Sequence, residues 1–155
     1  MRMIFTAAIA ASVVTGRADA QGQLEFPTVL FVHGTCERLV TPDGDQSEDC
    51  NKVLGLASYS NGRHSLWFSV PKKSLIAFSG IDENAEGNTE ILQLDLLTVA
   101  SESRGTTPRG GTGSCTYSDP WKGRAHFSCS GSTDDGKFAA EFTTDGKPPE
   151  NPLDK

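Results

Sequence analysis

The dominant pattern along the chain is a two-residue alternation of apolar and polar positions. Leu92, Leu94 and Leu96 alternate with Gln93 and Asp95. Phe138, Ala140 and Phe142 alternate with Ala139 and Glu141, and Ala125, Phe127 and Cys129 with His126 and Ser128. Leu66, Phe68 and Val70 share a face with Trp67 opposite, and Ile76 and Phe78 line one side of the next run. This period places one face of each segment against a core and reads as β-strand. No segment after residue 20 carries a clear helical stripe. The Ile91–Ala100 run is the one compatible with a helix start, and its alternation favours strand.

Hairpin signals separate these runs. Asn61-Gly62 lies between Val53–Tyr59 and Ser65–Val70, and Asp135-Gly136 between Phe127–Gly131 and Lys137–Thr143. Such dipeptides accept the positive φ that matches strand twist. Pro71-Lys72-Lys73 breaks another pair. The expected strands are Val29–His33, Cys36–Val40, Cys50–Tyr59, Ser65–Val70, Ser74–Gly80, Glu90–Val99, a hairpin of Cys115–Tyr117 with Arg124–Gly131, and Lys137–Thr143. The fold class is all-β, an antiparallel β-barrel or β-sandwich of about eight strands. Asp82–Asn88 and the glycine-rich Ser101–Ser114 read as mobile loops.

The first twenty residues read differently. Arg2 precedes an apolar stretch from Ile4 to Val14, and Ala18-Asp19-Ala20 is the small-x-small pattern of a signal peptidase site. The expectation is a signal peptide over 1–20, a single β domain over 21–147 and a flexible tail over 148–155. The apolar stretch is shorter than the ~20 residues a membrane-spanning helix needs. Localisation is then periplasmic or secreted.

Export changes the meaning of the four cysteines. In an oxidising compartment they predict two disulfides. Cys36 and Cys50 are fourteen positions apart, as are Cys115 and Cys129, and each pair brackets a turn-rich segment. The spacing favours these two local staples. Zinc ligation favours pairs such as C-x₂₋₄-C, which are absent. The order Cys50, Trp67, Cys115 has an immunoglobulin look, but Gly113 stands where that family places its corner tyrosine.

The run Cys115-Thr116-Tyr117-Ser118-Asp119-Pro120-Trp121-Lys122-Gly123, then Cys129, Gly136-Lys137-Phe138 and Phe142-Thr143-Thr144-Asp145-Gly146, resembles the C-terminal half of small exported proteins of unknown function from rhizobia-like bacteria. Tyr59, Asn61, Gly62, Arg63 and Phe68 resemble the middle of the same proteins. The resemblance implies export and a bacterial source, and carries over no catalytic residue.

Composition narrows the partners. The chain has 155 residues, 36% of them hydrophobic and 22% charged, with a formal net charge of −6. An acidic chain lacks the basic patch that phosphate neutralisation requires, so nucleic acid is not the expected partner.

Candidate chemistry is sparse. His33, His64 and His126 form no H-E-x-x-H pattern, and His64 and His126 read as surface histidines. There is no G-x-S-x-G elbow. Ser69-Val70-Pro71-Lys72 matches S-x-x-K by letters only, because the Val-Pro step stops the helix that motif needs. Asp43, Asp45, Glu48 and Asp49 form an acidic cluster without the spacing of an EF-hand. It reads as a solvated hairpin tip.

No cofactor, metal site or catalytic residue is therefore expected. Trp121 stands out beside Pro120 in the second stapled loop, near Tyr117, Lys122 and Arg124. Aromatics and basic residues on a rigid loop suit a binding surface, so Tyr117, Trp121, Lys122 and Arg124 are the candidate binding residues. The functional expectation is an exported, non-catalytic binding module of the cell envelope for a protein or small-molecule ligand. The alternatives are an accessory subunit of an envelope assembly and a hydrolase with an unrecognised site.

Overall fold

The computed structural model describes residues 26–83 and 87–154. The expected signal peptide and cleavage site lie outside the described residues, as does the middle of the Asp82–Asn88 segment. Among the described residues nine strands form in chain order: β1 (Thr28–Thr41), β2 (Gly44–Asp45), β3 (Val53–Ser58), β4 (Arg63–Val70), β5 (Ser74–Glu83), β6 (Thr89–Ser101), β7 (Gly105–Ser118), β8 (His126–Thr133) and β9 (Gly136–Thr144). All pairings are antiparallel, between neighbours in sequence from β3 to β9. The long β1 closes the circle. Its first half pairs with β3 and its second half with β9. The result is a closed eight-stranded antiparallel barrel, with β2 as a short flap on the end of β1. Among the described residues, no helix is long and apolar enough to cross a membrane.

Two expected strands, Val29–His33 and Cys36–Val40, are thus one strand. Gly34 marks the point where it changes partner. A Cβ there would sit 2.0 Å from the Thr143 carbonyl oxygen, so the backbones meet only because glycine has no side chain. A bulge between Cys36 and Arg38 follows, within the pairing with β9.

The interior carries the in-phase apolar positions. Leu54, Leu66, Phe68, Ile76, Phe78, Leu92, Leu94, Phe127, Phe138, Ala140 and Phe142 are all buried. Phe68 meets Phe78 and Phe142 edge-on, with centroids 5.6 and 6.5 Å apart, and Phe78 meets Phe138 at 6.4 Å. On β6 the alternation changes phase. β6 bulges at Asp95, so that Leu97, not Leu96, takes the next buried position. The bulged Asp95 is held outside by a two-pronged pair with Arg63, which keeps its carboxyl below the usual carboxylate range.

Ser101–Ser114 is not a loop. After a short turn the chain pairs with β6 from Gly105 onward. Pro108 is accommodated because β7 pairs with β8 only from Thr112, leaving the proline on an edge where no ladder N–H is required. The tail expected to fray is tied at one point, where the Glu150 and Phe31 backbones exchange two 2.8 Å hydrogen bonds.

Both disulfides are formed as the spacing implied. Cys36–Cys50 joins β1 to the segment entering β3, with Cα atoms 5.9 Å apart. Cys115–Cys129 joins directly opposed residues of β7 and β8 inside the barrel, with Cα atoms 4.0 Å apart. Two closed bridges fit an oxidising environment, extracellular or periplasmic.

Candidate functional site

One end of the barrel is open and polar. At that end five neighbouring strands, β3 to β7, each carry one more residue in phase with the buried face, and those residues are not apolar. Ser58 continues the Leu54, Leu56 face of β3, and His64 precedes Leu66 and Phe68 on β4. Asp82 follows Phe78 and Gly80 on β5, Glu90 precedes Leu92 on β6, and Tyr117 follows Cys115 on β7. They ring a cavity of about 340 Å³ whose apolar lining includes Leu30, Leu56, Leu66 and Phe127.

The ring is internally bonded. Tyr117 donates its phenol proton to Asp82 Oδ1 over 3.1 Å. His64 Nε2 lies 3.2 Å from Asp82 Oδ2, and His64 Nδ1 lies 3.2 Å from Ser58 Oγ. Gly80 faces His64 in the ladder and offers no side chain, so the imidazole reaches past it to Asp82. The neutral tautomer that satisfies both contacts carries its proton on Nε2 and accepts from Ser58 at Nδ1. His64 is therefore half-buried and engaged, not a solvated surface histidine.

Tyr117 stacks on Phe127 with ring centroids 5.2 Å apart. Burial, reinforced by the negative charge and hydrogen bond of Asp82 and then by Glu90, pushes its phenol above the ordinary tyrosine range. The folded chain thus holds this proton more tightly than the unfolded chain. The associated stabilisation is present below about pH 10, the unfolded value, and is lost as pH rises above it. Denaturant midpoints measured from pH 8 to 11 should fall at the alkaline end for the wild type and fall less for Tyr117→Phe.

The loop after β7 brings Trp121 to the same cavity. Asp119 caps a single 3₁₀ turn by accepting from the Trp121 N–H over 2.9 Å, and Pro120 is buried beneath it. The far end is fixed where Ala125 and Thr144 exchange two 2.8 Å bonds. Trp121 as a whole is 60% exposed. Trp67 is half-buried on the outer wall, its N–H donated to Ser65 Oγ over 3.0 Å. Acrylamide should therefore quench Trp121 more than Trp67 when each is the single tryptophan. Trp121→Ala should change stability by no more than about 0.5 kcal/mol, as for other exposed positions.

The four candidate binding residues are divided by the structure. Tyr117 and Trp121 share the mouth cavity. Lys122 is exposed beside Asp119, with 3.6 Å between charged atoms. Arg124 lines a different cavity, of about 490 Å³, with His33, Lys52 and Asp145 at the β1–β9 seam. Sequence reading missed Ser58, His64, Asp82 and Glu90.

Two further clusters bear on metal binding. In the acidic loop, Asp45 accepts from the Ser47 hydroxyl and backbone N–H, which holds its carboxyl below the usual range. Asp49 pairs with Lys73 and Asp43 with Arg104. Three of the four carboxylates are thus engaged. On the outer wall, the bulge residue Glu37, His126 of β8 and Glu141 of β9 bring potential ligand atoms within 4.8 Å of one another. Thr143 bridges this group, 2.9 Å from His126 Nδ1 and donating to Glu37 over 2.8 Å. These three side chains could hold a divalent cation at the surface, away from the barrel mouth.

No protein-family model, curated protein or solved structure matches this chain.

Proposed function

We propose that the protein is an exported, non-catalytic binding module, working in the periplasm or outside the cell, that holds a small molecule in the mouth of its barrel. The observation that carries the reading is the mouth cavity itself, an apolar lining beneath a ring of polar groups on separate strands. Small-molecule sites have this make-up, with apolar walls for affinity and a few fixed polar groups for orientation, and barrel mouths are among their usual places. Eight strands enclose about enough space for one small ligand. The hydrogen bonds among Ser58, His64, Asp82 and Tyr117 fix the ring before a ligand arrives, which lowers the ordering cost of binding.

A second reading, a hydrolase, is favoured by one arrangement. Ser58, His64 and Asp82 stand in the hydroxyl–imidazole–carboxylate order of an acyl-transfer nucleophile. Such chemistry also needs donors aimed at the developing oxyanion. The phenol lining the cavity, Tyr117, is engaged by Asp82. Binding is therefore the better supported reading. Labelling of Ser58 by a fluorophosphonate, lost in His64→Ala, would reverse that preference.

The test of the binding reading is a small-molecule library screened by melting temperature, with Leu56→Trp as a plugged control checked for fold by circular dichroism. A ligand at a hundredfold excess over its Kd should stabilise the wild type by about 2.7 kcal/mol and leave the plugged protein unmoved. Ligands that stabilise both proteins equally would place binding elsewhere.

A further inference from the structure

The charge of the barrel mouth selects among ligands. Three carboxylates, Asp82, Glu90 and Asp119, line the cavity, while among the described residues its lining includes no lysine or arginine. Their engagements differ. Asp82 faces His64 and Tyr117. Asp119 caps Trp121 and has Lys122 at 3.6 Å. Glu90 is exposed at the rim of the same cavity. Aromatic groups complete the site: Tyr117 stacked on Phe127, and the largely exposed Trp121.

An aromatic wall with nearby carboxylates attracts an organic cation on two counts. The ring faces carry the negative part of their quadrupole, and the carboxylates add a field that the partly desolvated cavity screens less than water does. An anionic ligand would meet like charge there, most directly at the exposed Glu90. Resting on the binding reading above, we infer that the ligand is a small organic cation, an ammonium group carried on an apolar body. The body sits on Leu30, Leu56 and Leu66, and the ammonium lies at the rim between Trp121 and Glu90.

Three probes of similar shape separate charge from shape: phenyltrimethylammonium, its neutral isostere tert-butylbenzene, and the anion benzenesulfonate. Each is titrated into the full-length mature protein, with Trp121 fluorescence in a Trp67→Phe background as the readout. The cation should bind about tenfold or more tightly than the isostere, and the anion should bind least. Glu90→Gln should weaken the cation several-fold and Glu90→Lys about tenfold, with the isostere unchanged in both. Glu90 is exposed, so neither variant is expected to affect folding. Equal binding of cation and isostere would overturn the inference while leaving the cavity as a ligand site. Failure of all three to bind, in a protein whose library ligands are still excluded by Leu56→Trp, would overturn the inference alone. The same failure with no such ligands would overturn both.

Discussion

Alanine at position 80 should cost the barrel at least about 3 kcal/mol, the upper end of the range for forced overpacking. Gly80 sits on the inward phase of β5, beside the point where β6 bulges, and the two backbones close on it. A Cβ built there would lie 1.8 Å from the Gln93 carbonyl oxygen and 3.0 Å from the Leu94 Cα. Both neighbours are backbone in a closed ladder, so neither can swing aside as a side chain would. For a domain of this size, such a loss lowers the melting temperature by about 10 °C. The same change also intrudes on the space past which His64 reaches Asp82. Gly110 is the internal control: it lies on the edge half of β7, and nothing stands within 4 Å of a Cβ there. Gly110→Ala should stay within about 0.5 kcal/mol of the wild type. Thermal unfolding of the two variants side by side measures the difference. Equal effects would mean that β5 and β6 do not approach as described.

The second large effect concerns the buried bridge. Cys115–Cys129 and Cys36–Cys50 close loops of the same length, so the chain-entropy model assigns each roughly 3 kcal/mol. Their surroundings differ. Cys115 is 0% exposed and Cys129 3%, packed in the core with Phe127, whereas Cys36 and Cys50 are only partly buried. Replacing both members of the inner pair by alanine therefore also leaves a void, and such voids add to the cost. The inner double variant should lose about 4–5 kcal/mol and the outer one about 2–3 kcal/mol. Urea midpoints would show the order. An outer bridge that matters more would contradict the placement of the inner pair in the core.

Much of this architecture is legible in the sequence, and the exceptions have physical causes. The alternation in Leu66–Val70, Ile76–Phe78, Phe127–Cys129 and Phe138–Phe142 reports burial directly, because a barrel strand hides one face and wets the other. Closure was not legible. It depends on β1 serving two partners through Gly34, and nothing local distinguishes that glycine from a loop glycine. Ser101–Ser114 looked like a loop because its glycines and proline lack a buried face, which the edge half of β7 does not need. Asp95 reads as an ordinary polar position, yet its bulge shifts the buried phase from Leu96 to Leu97.

The candidate site was half visible. Tyr117 and Trp121 stood out as aromatics in a stapled turn. Ser58, His64, Asp82 and Glu90 did not, since each lies on a different strand and only closure of the barrel brings them together. A signal was present all the same. Each is a polar residue in phase with the apolar face of its own strand, at the end that feeds the same rim. Lys122 and Arg124 were grouped with Trp121 by sequence proximity, but the 3₁₀ turn and Gly123 redirect the chain between them, and they face different surroundings.

The central claim is that the barrel mouth is where this protein meets its ligand. The most direct measurement is an amide ¹H–¹⁵N correlation spectrum of the labelled protein, recorded as a ligand from the library screen is added. The account predicts that the largest shifts fall on Ser58, His64, Asp82, Glu90, Tyr117 and Trp121, with the phenylalanine-packed half of the barrel silent. Shifts confined to the outer wall around Glu37, His126 and Glu141, or to the seam around Arg124, would contradict it.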